Sequence, residues 1–371
     1  MSRALVPSLI ANLLPWRLIA VLIALVGFGV IVLYSSAGGS MTPWAAMHGV
    51  RFSILLVMAI GISFLPETWL RPLLIPAYIT VLIGLIGVEL LGFVGGGSQR
   101  WLDLGVMRLQ PSELMKPAVV LLLAHFYAML PPGHLRSWQA LWPALVVIGI
   151  PVSFVLLQPD LGTSVAIAVG GLTVMFLAGL PMRLFIGAGL AGLAALPVFY
   201  SMLHDYQRNR VLVFLNPELD PLGAGYHISQ SKIAIGSGGI FGKGFLNGSQ
   251  SHLDYLPEGH TDFIFSTMAE EWGLIGGIFV IGAFVMILRW GYRVAMRSPS
   301  RFGRLAAGGL TTTIFFYFAI NLLMVMGMAP AKGIPLPFMS HGGSSMLTVM
   351  ICIGFLIGID RETKASGRSP Y

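Results

Sequence analysis

Residues 17–37 read RLIAVLIALVGFGVIVLYSSA, one arginine followed by twenty uncharged positions. An α-helix needs about 20 apolar residues to cross the hydrocarbon of a bilayer, whereas a spanning strand needs about 10 residues that alternate in polarity. The run does not alternate, so it predicts a membrane helix. It is too long for the core of a signal peptide, and no small-residue cleavage site follows it cleanly, which makes it a retained span. Comparable runs lie near 47–65, 69–94, 113–130, 141–157, 163–180, 184–203, 262–289, 305–328 and 343–360. The expectation is an all-α polytopic membrane protein with about ten transmembrane helices. Composition agrees, because a chain of 371 residues with 56% hydrophobic and 10% charged residues has too little polar surface to cover a soluble globule. The single cysteine, Cys352, falls inside the last run; it excludes an intramolecular disulfide and predicts a packing role.

Basic residues in the short connections set the orientation. With the N-terminus inside, Arg3, Arg17, Arg71, Arg136, Arg183, the set Arg289, Arg293, Arg297, Arg301 and Arg304, and the tail residues Arg361, Lys364 and Arg368 all fall on the cytoplasmic side. The opposite orientation would export the five-arginine set. An even number of spans leaves both termini cytoplasmic and sends the long connection, residues 204–261, to the exterior between helices 7 and 8. The formal charge of +7 suits an anionic inner leaflet and calls for no nucleic-acid partner, since no soluble basic domain exists. With no repeat, low-complexity tract or linker, residues 1–371 form one domain.

The chemistry is expected on the outer side. In LPEGHTDFIFSTMAEE, residues 256–271, Asp262 stands where the long polar loop becomes a hydrophobic helix. An Asp at the centre of a span costs roughly 2.5 to 3.5 kcal/mol, so an ionisable group at this boundary has a structural or functional reason. With Thr261 as N-cap, Asp262 would occupy the first helical turn, where the helix dipole favours the ionised form. Arg100, Arg208, Arg210, Lys243, Glu258 and Lys332 fall on the same side, and cations beside carboxylates there suit a phosphate or pyrophosphate. Glu113 and Lys116 of QPSELMKP are three apart at the start of a predicted helix capped by Ser112, either as a structural ion pair or as the lining of a polar cavity. Asp160 of QPDLGTS is placed for a helix cap or a ligand contact, and Glu270 with Glu271 for buried hydrogen-bonded roles.

Two loops carry distinctive spacing. GSGGIFGKGFLNGS, residues 236–249, lacks the spacing and the strand-to-helix setting of a nucleotide loop; its glycines predict tight turns and close backbone approach. GIPLPFMSHGGSS, residues 333–345, predicts broken backbone packed on protein or on a water-filled cavity, with His341 as a structural histidine. No residues have metal-ligand spacing, although carboxylates and a phosphate could share a hydrated divalent ion, Mg or Mn.

The segment 220–273, QPSELMKP, QPDLGTS and GIPLPFMSHGGSS closely resemble the SEDS family of bacterial cell-wall proteins over nearly the whole chain. The wording around LNGSQSHLDYLPEGHTDF is similar to the RodA branch, which serves elongation, more than to the FtsW branch, which serves division. His341 departs from the family, which usually has Tyr in an SYGG run. The resemblance implies a ten-span peptidoglycan glycosyltransferase of the inner membrane that uses lipid II as donor and acceptor. Its partners would be a class B penicillin-binding protein and other membrane proteins of the elongation complex. It further implies an essential aspartate at Asp262, with Glu113, Lys116, Asp160, Glu258 and Lys332 matching family motifs. A lipid II flippase is the competing expectation, because ten spans also suit alternating access; a scaffold for a partner synthase is a third.

Overall fold

The structure, a computed structural model, describes residues 14–91, 93–95, 98–103, 108–135, 137–202, 208, 212–213, 216, 220, 223–253, 255–256, 258–330 and 333–366. Its helices are α1 (Trp16–Ser36), α2 (Ala45–Ser63), α3 (Glu67–Leu91), α4 (Pro111–Met129), α5 (Trp138–Leu157), α6 (Leu161–Ala178), α7 (Met182–Met202), α8 (Ala224–Ser237), α9 (Ser249–His252), α10 (Ile264–Arg297), α11 (Arg301–Val325) and α12 (Gly343–Ser366). Eight of them, α1 to α3, α5, α6 and α10 to α12, are long and apolar enough to cross a membrane. The remaining two long helices are α4, with 19 residues but a charged first turn, and α7, with 21. The polytopic all-α expectation therefore stands, with the two extra spans resting on length.

The bundle is layered by burial. α4, α6, α11 and α12 form the centre and pack on one another, while α2, α3 and α5 turn large apolar side chains outward. This is the membrane arrangement, in which apolar side chains face both the core and the surrounding lipid.

Strands appear where the sequence predicted none. β1 (Phe93–Gly95), β2 (Ser98–Asp103) and β3 (Arg108–Leu109) pair antiparallel in the order β1-β2-β3 between α3 and α4. A ribbon this short carries too few residues to show alternation, yet it brings Arg100 and Trp101 over the helix ends.

α10 is broken at Gly273, whose φ of 59° and ψ of −152° lie in a region open essentially to glycine alone. The amides of Leu274 and Ile275 donate to the carbonyls of Gly239 and Ile240 at 3.0 and 3.2 Å, and those of Lys243 and Gly244 donate to Glu270 and Glu271 at 2.9 and 3.1 Å. The loop after α8 thus satisfies the backbone groups that the break exposes, as low-dielectric surroundings require. A Cβ on Gly273 would lie 2.4 Å from the Gly242 nitrogen, whereas one on Gly282 of the same helix meets nothing within 4 Å. Gly273→Ala should therefore destabilise by at least about 1–3 kcal/mol from backbone strain alone. Thermal unfolding of the purified protein beside Gly282→Ala checks this, and equal midpoints for the two variants would contradict it.

Candidate functional site

A cavity of about 610 Å³ opens at one end of the bundle, lined by Arg100, Trp101, Gln110, Glu113, Asp160, Thr163, Glu258, Thr261, Asp262, Gly333, Pro335 and His341–Ser345. Five segments meet there: the β-ribbon, the start of α4, the α5–α6 turn, the turn before α10, and the broken stretch between α11 and α12.

Asp262 lies ahead of α10, outside its first turn. The N-cap of α10 is Phe263, without a side-chain cap bond. Thr261 does not cap the helix either; its hydroxyl donates to Glu258 Oε2 at 2.5 Å. The reason is the preceding turn, where Glu258 at φ 58° accepts from the Thr261 and Phe263 amides through its carbonyl. The dipole effect expected from a first-turn position is replaced by the opposite influence. Protein surrounds the Asp262 carboxyl on most sides, and this desolvation, followed by the neighbouring charge of Glu258, pushes its pKa up to about 7.

Asp160 fills the cap role and stands on the cavity wall. Its carboxylate caps α6, accepting from the Thr163 amide at 3.1 Å and hydroxyl at 3.0 Å, and it faces Arg100 at 3.5 Å on the cavity wall. Arg100 is further fixed by donating to the carbonyls of Gln158 at 3.1 Å and Pro159 at 2.8 Å.

Glu113 reaches the cavity while Lys116 stays buried behind it at 2% exposure. Lys116 Nζ pairs with Glu113 Oε1 at 2.5 Å and donates to the Tyr317 hydroxyl at 2.7 Å, and that hydroxyl donates to Glu113 Oε2. The ring closes α4 onto α11. Ser112 is not the cap of α4, because the helix starts at Pro111 with Gln110 in the cap position.

His341 stands on the wall beside three basic neighbours, Arg51, His48 and His260. Arg51 donates to its Nε2 at 3.3 Å, so the ring accepts there. Burial, then Arg51, His48 and His260, press its pKa down to about 4, which keeps it neutral. His260, stacked on Trp44 at 3.9 Å, is also lowered by burial, with Glu258 opposing.

Two of the cations expected near phosphate stand elsewhere. Lys243 pairs with the fully buried Glu270 at 2.6 Å, where Ser249 and the Gln250 amide also donate, and it serves the loop rather than the cavity wall. Arg208 is spent on the carbonyls of Tyr200 and Ser201 at the end of α7. The fully buried Glu270 carboxylate, 27 residues away, is costly to leave unpaired, and sequence spacing does not reveal that it is buried. Glu271 accepts from Ser35, completing the buried roles expected of that pair. Arg210 and Lys332 lie outside the described residues. Among the described residues no three His, Cys, Asp or Glu side chains converge as a metal site.

Gln110 and Thr163 line the cavity, and Tyr317 is bonded to Glu113 behind its wall, without having been predicted. Tyr317 had a legible signal: Thr313, Tyr317 and Asn321 form a buried polar stripe at i, i+4 and i+8 on α11.

The sequence profile of the FtsW/RodA/SpoVE family, described as cell cycle protein, matches residues 15–365. The chain is similar to the peptidoglycan glycosyltransferase MrdB of Escherichia coli (strain K12), 43% identical over 359 residues that make up 95% of each chain. It is 31% identical to the peptidoglycan glycosyltransferase RodA of Treponema pallidum (strain Nichols), covering 93% of this chain and 97% of that one. Among solved structures it resembles a chain of a peptidoglycan synthase complex that coordinates polymerisation and crosslinking, with TM-score 0.82, 30% identity and coverage of 94% and 98%. It also resembles the Thermus thermophilus rod shape determining protein RodA, with TM-score 0.70, 28% identity and coverage of 94% and 97%.

Proposed function

The chain belongs to the FtsW/RodA/SpoVE family, and from that premise we propose that Asp262 is the general base of its glycosyl transfer. The protein is a peptidoglycan glycosyltransferase. Its substrate on this reading is lipid II, polymerised into glycan strands during elongation, with a class B penicillin-binding protein as crosslinking partner. The catalytic reading is carried by the position of the Asp262 carboxylate, on the wall of a cavity large enough for sugar units, where burial raises its pKa.

The chemistry needs little else from the protein. The acceptor hydroxyl attacks the anomeric carbon of the donor, the bond to undecaprenyl pyrophosphate breaks, and the pyrophosphate leaves with the electron pair. The hydroxyl proton passes to Asp262. An α-linked donor giving a β-linked product calls for single displacement with one carboxylate as base, as in inverting glycosidases. Pyrophosphate is already a good leaving group, so it needs cations more than an acid. Arg100 is the described cation on the wall, and Lys332, beside Gly333 in sequence, is the second candidate. Glu113, Asp160 and Glu258 offer acceptors to sugar hydroxyls. Gathering of the polar lining at one end supports surface chemistry over a transport path, and the arginines from 289 to 304, at the far end of α10, support a cavity facing the exterior.

The sign of the pH dependence follows from the base role. A group of pKa about 7 is roughly one-tenth ionised at pH 6 and nine-tenths ionised at pH 8, so turnover should rise about tenfold between them. The test is polymerisation of purified lipid II by the purified protein across that range. Glycan strands formed at a rate independent of pH, or none formed with the partner present, would overturn the proposal.

A further inference from the structure

Three consecutive carbonyls of the turn before α10 are each held from elsewhere in the chain. His260 O accepts from the His341 amide at 2.9 Å, Thr261 O from the Ser340 hydroxyl at 2.6 Å, and Asp262 O from Asn321 Nδ2 at 2.8 Å. Asn321 Nδ2 also donates to Ile334 O at 2.8 Å. One fully buried amide on α11 therefore ties the turn that bears Asp262 to the loop that forms the facing wall. That wall is close to the carboxylate, because a Cβ on Gly333 would lie 3.4 Å from Asp262 Oδ2.

The other half of the amide is informative. Among the described residues, the buried Asn321 Oδ1 has no hydrogen-bond partner. Leaving a buried acceptor unpaired opposes folding, and such groups persist where the donors are needed in place. A flipped amide would set its oxygen against two carbonyls, so the two donated bonds alone fix the orientation.

We propose that Asn321 is a positioning residue for glycosyl transfer, setting how far the Asp262 carboxylate reaches into the cavity by gripping the Asp262 and Ile334 carbonyls together. The inference rests on the reading of Asp262 as the base. Displacement of a catalytic group by about 1 Å can lower turnover about 100-fold without loss of binding.

The experiment compares wild type, Asn321→Leu, Asp262→Asn and the double variant as purified proteins, with kcat, KM for lipid II and the pH profile as readouts. Asn321→Leu keeps the size of the side chain and removes both donors; Asn321→Ser keeps one donor and takes its place if the leucine protein does not fold. The expected result is a kcat lowered about 10- to 100-fold, KM within about twofold, a displaced midpoint of the pH profile, and no further loss when the change is added to Asp262→Asn. Wild-type kcat and midpoint in both Asn321 variants, with Asp262→Asn inactive, would overturn the inference and leave the base intact. A change in KM alone would also overturn it. Full activity of Asp262→Asn would instead remove the base reading and this inference with it.

Discussion

Lys116→Ala is expected to destabilise the protein by about 3–5 kcal/mol, the range for removing one partner of a buried ion pair. Lys116 has 2% and Glu113 6% of its surface exposed, so among the described residues the abandoned carboxylate would keep the Tyr317 hydroxyl as its one side-chain donor. Water reaching Glu113 from the cavity softens the loss without cancelling it. Replacing both charges, as Glu113→Gln with Lys116→Met, should restore most of the stability because no unpaired charge remains. Thermal unfolding in one detergent or lipid environment reads the difference. A single variant as stable as wild type would show that the ring between α4 and α11 contributes nothing to holding the bundle.

Asp262→Asn is expected to lower turnover by about 10² to 10⁴-fold, the usual contribution of a general base. The substitution keeps the size of the side chain and the backbone carbonyl that Asn321 grips, so lipid II binding should persist. Its effect on stability has the opposite sign to that on activity. The folded pKa of about 7 lies above the ordinary value of 3.8, so between them the folded state retains a proton that the unfolded state has released. Stability contributed by this group therefore declines as pH rises through that window. The asparagine variant escapes the decline and should unfold at an equal or higher temperature than wild type at pH 8. A burden on stability removed together with activity is the pattern of a group kept for chemistry.

The helices were legible because uninterrupted apolar runs have one interpretation. The runs 262–289 and 343–360 became Ile264–Arg297 and Gly343–Ser366, with polar ends that hydropathy understates. Of the site, Asp262, Glu113, Asp160, Glu258 and Arg100 share one cavity, and each was marked by a charge close to a membrane boundary. Their convergence was not legible, since it depends on a short β-ribbon and on the packing that brings the α5–α6 turn, the turn before α10 and the stretch after α11 together. Lys243 shows the limit most clearly. Its neighbours in sequence suggest a free cation, whereas Glu270 in α10 claims it. Tyr317 and Asn321 carry no charge and were hidden in an apolar helix, although their four-residue spacing places them on one face.

On the proposed mechanism Asp262 accepts the proton of the attacking hydroxyl. Initial rates of lipid II polymerisation by wild type and Asp262→Asn, measured from pH 5.5 to 8.5 at saturating substrate, test it most directly. The wild-type rate should climb with an ionisation near pH 7, and the variant rate should be about 10² to 10⁴-fold lower with that ionisation gone. A variant that polymerises at the wild-type rate, or that retains the same ionisation, would contradict it.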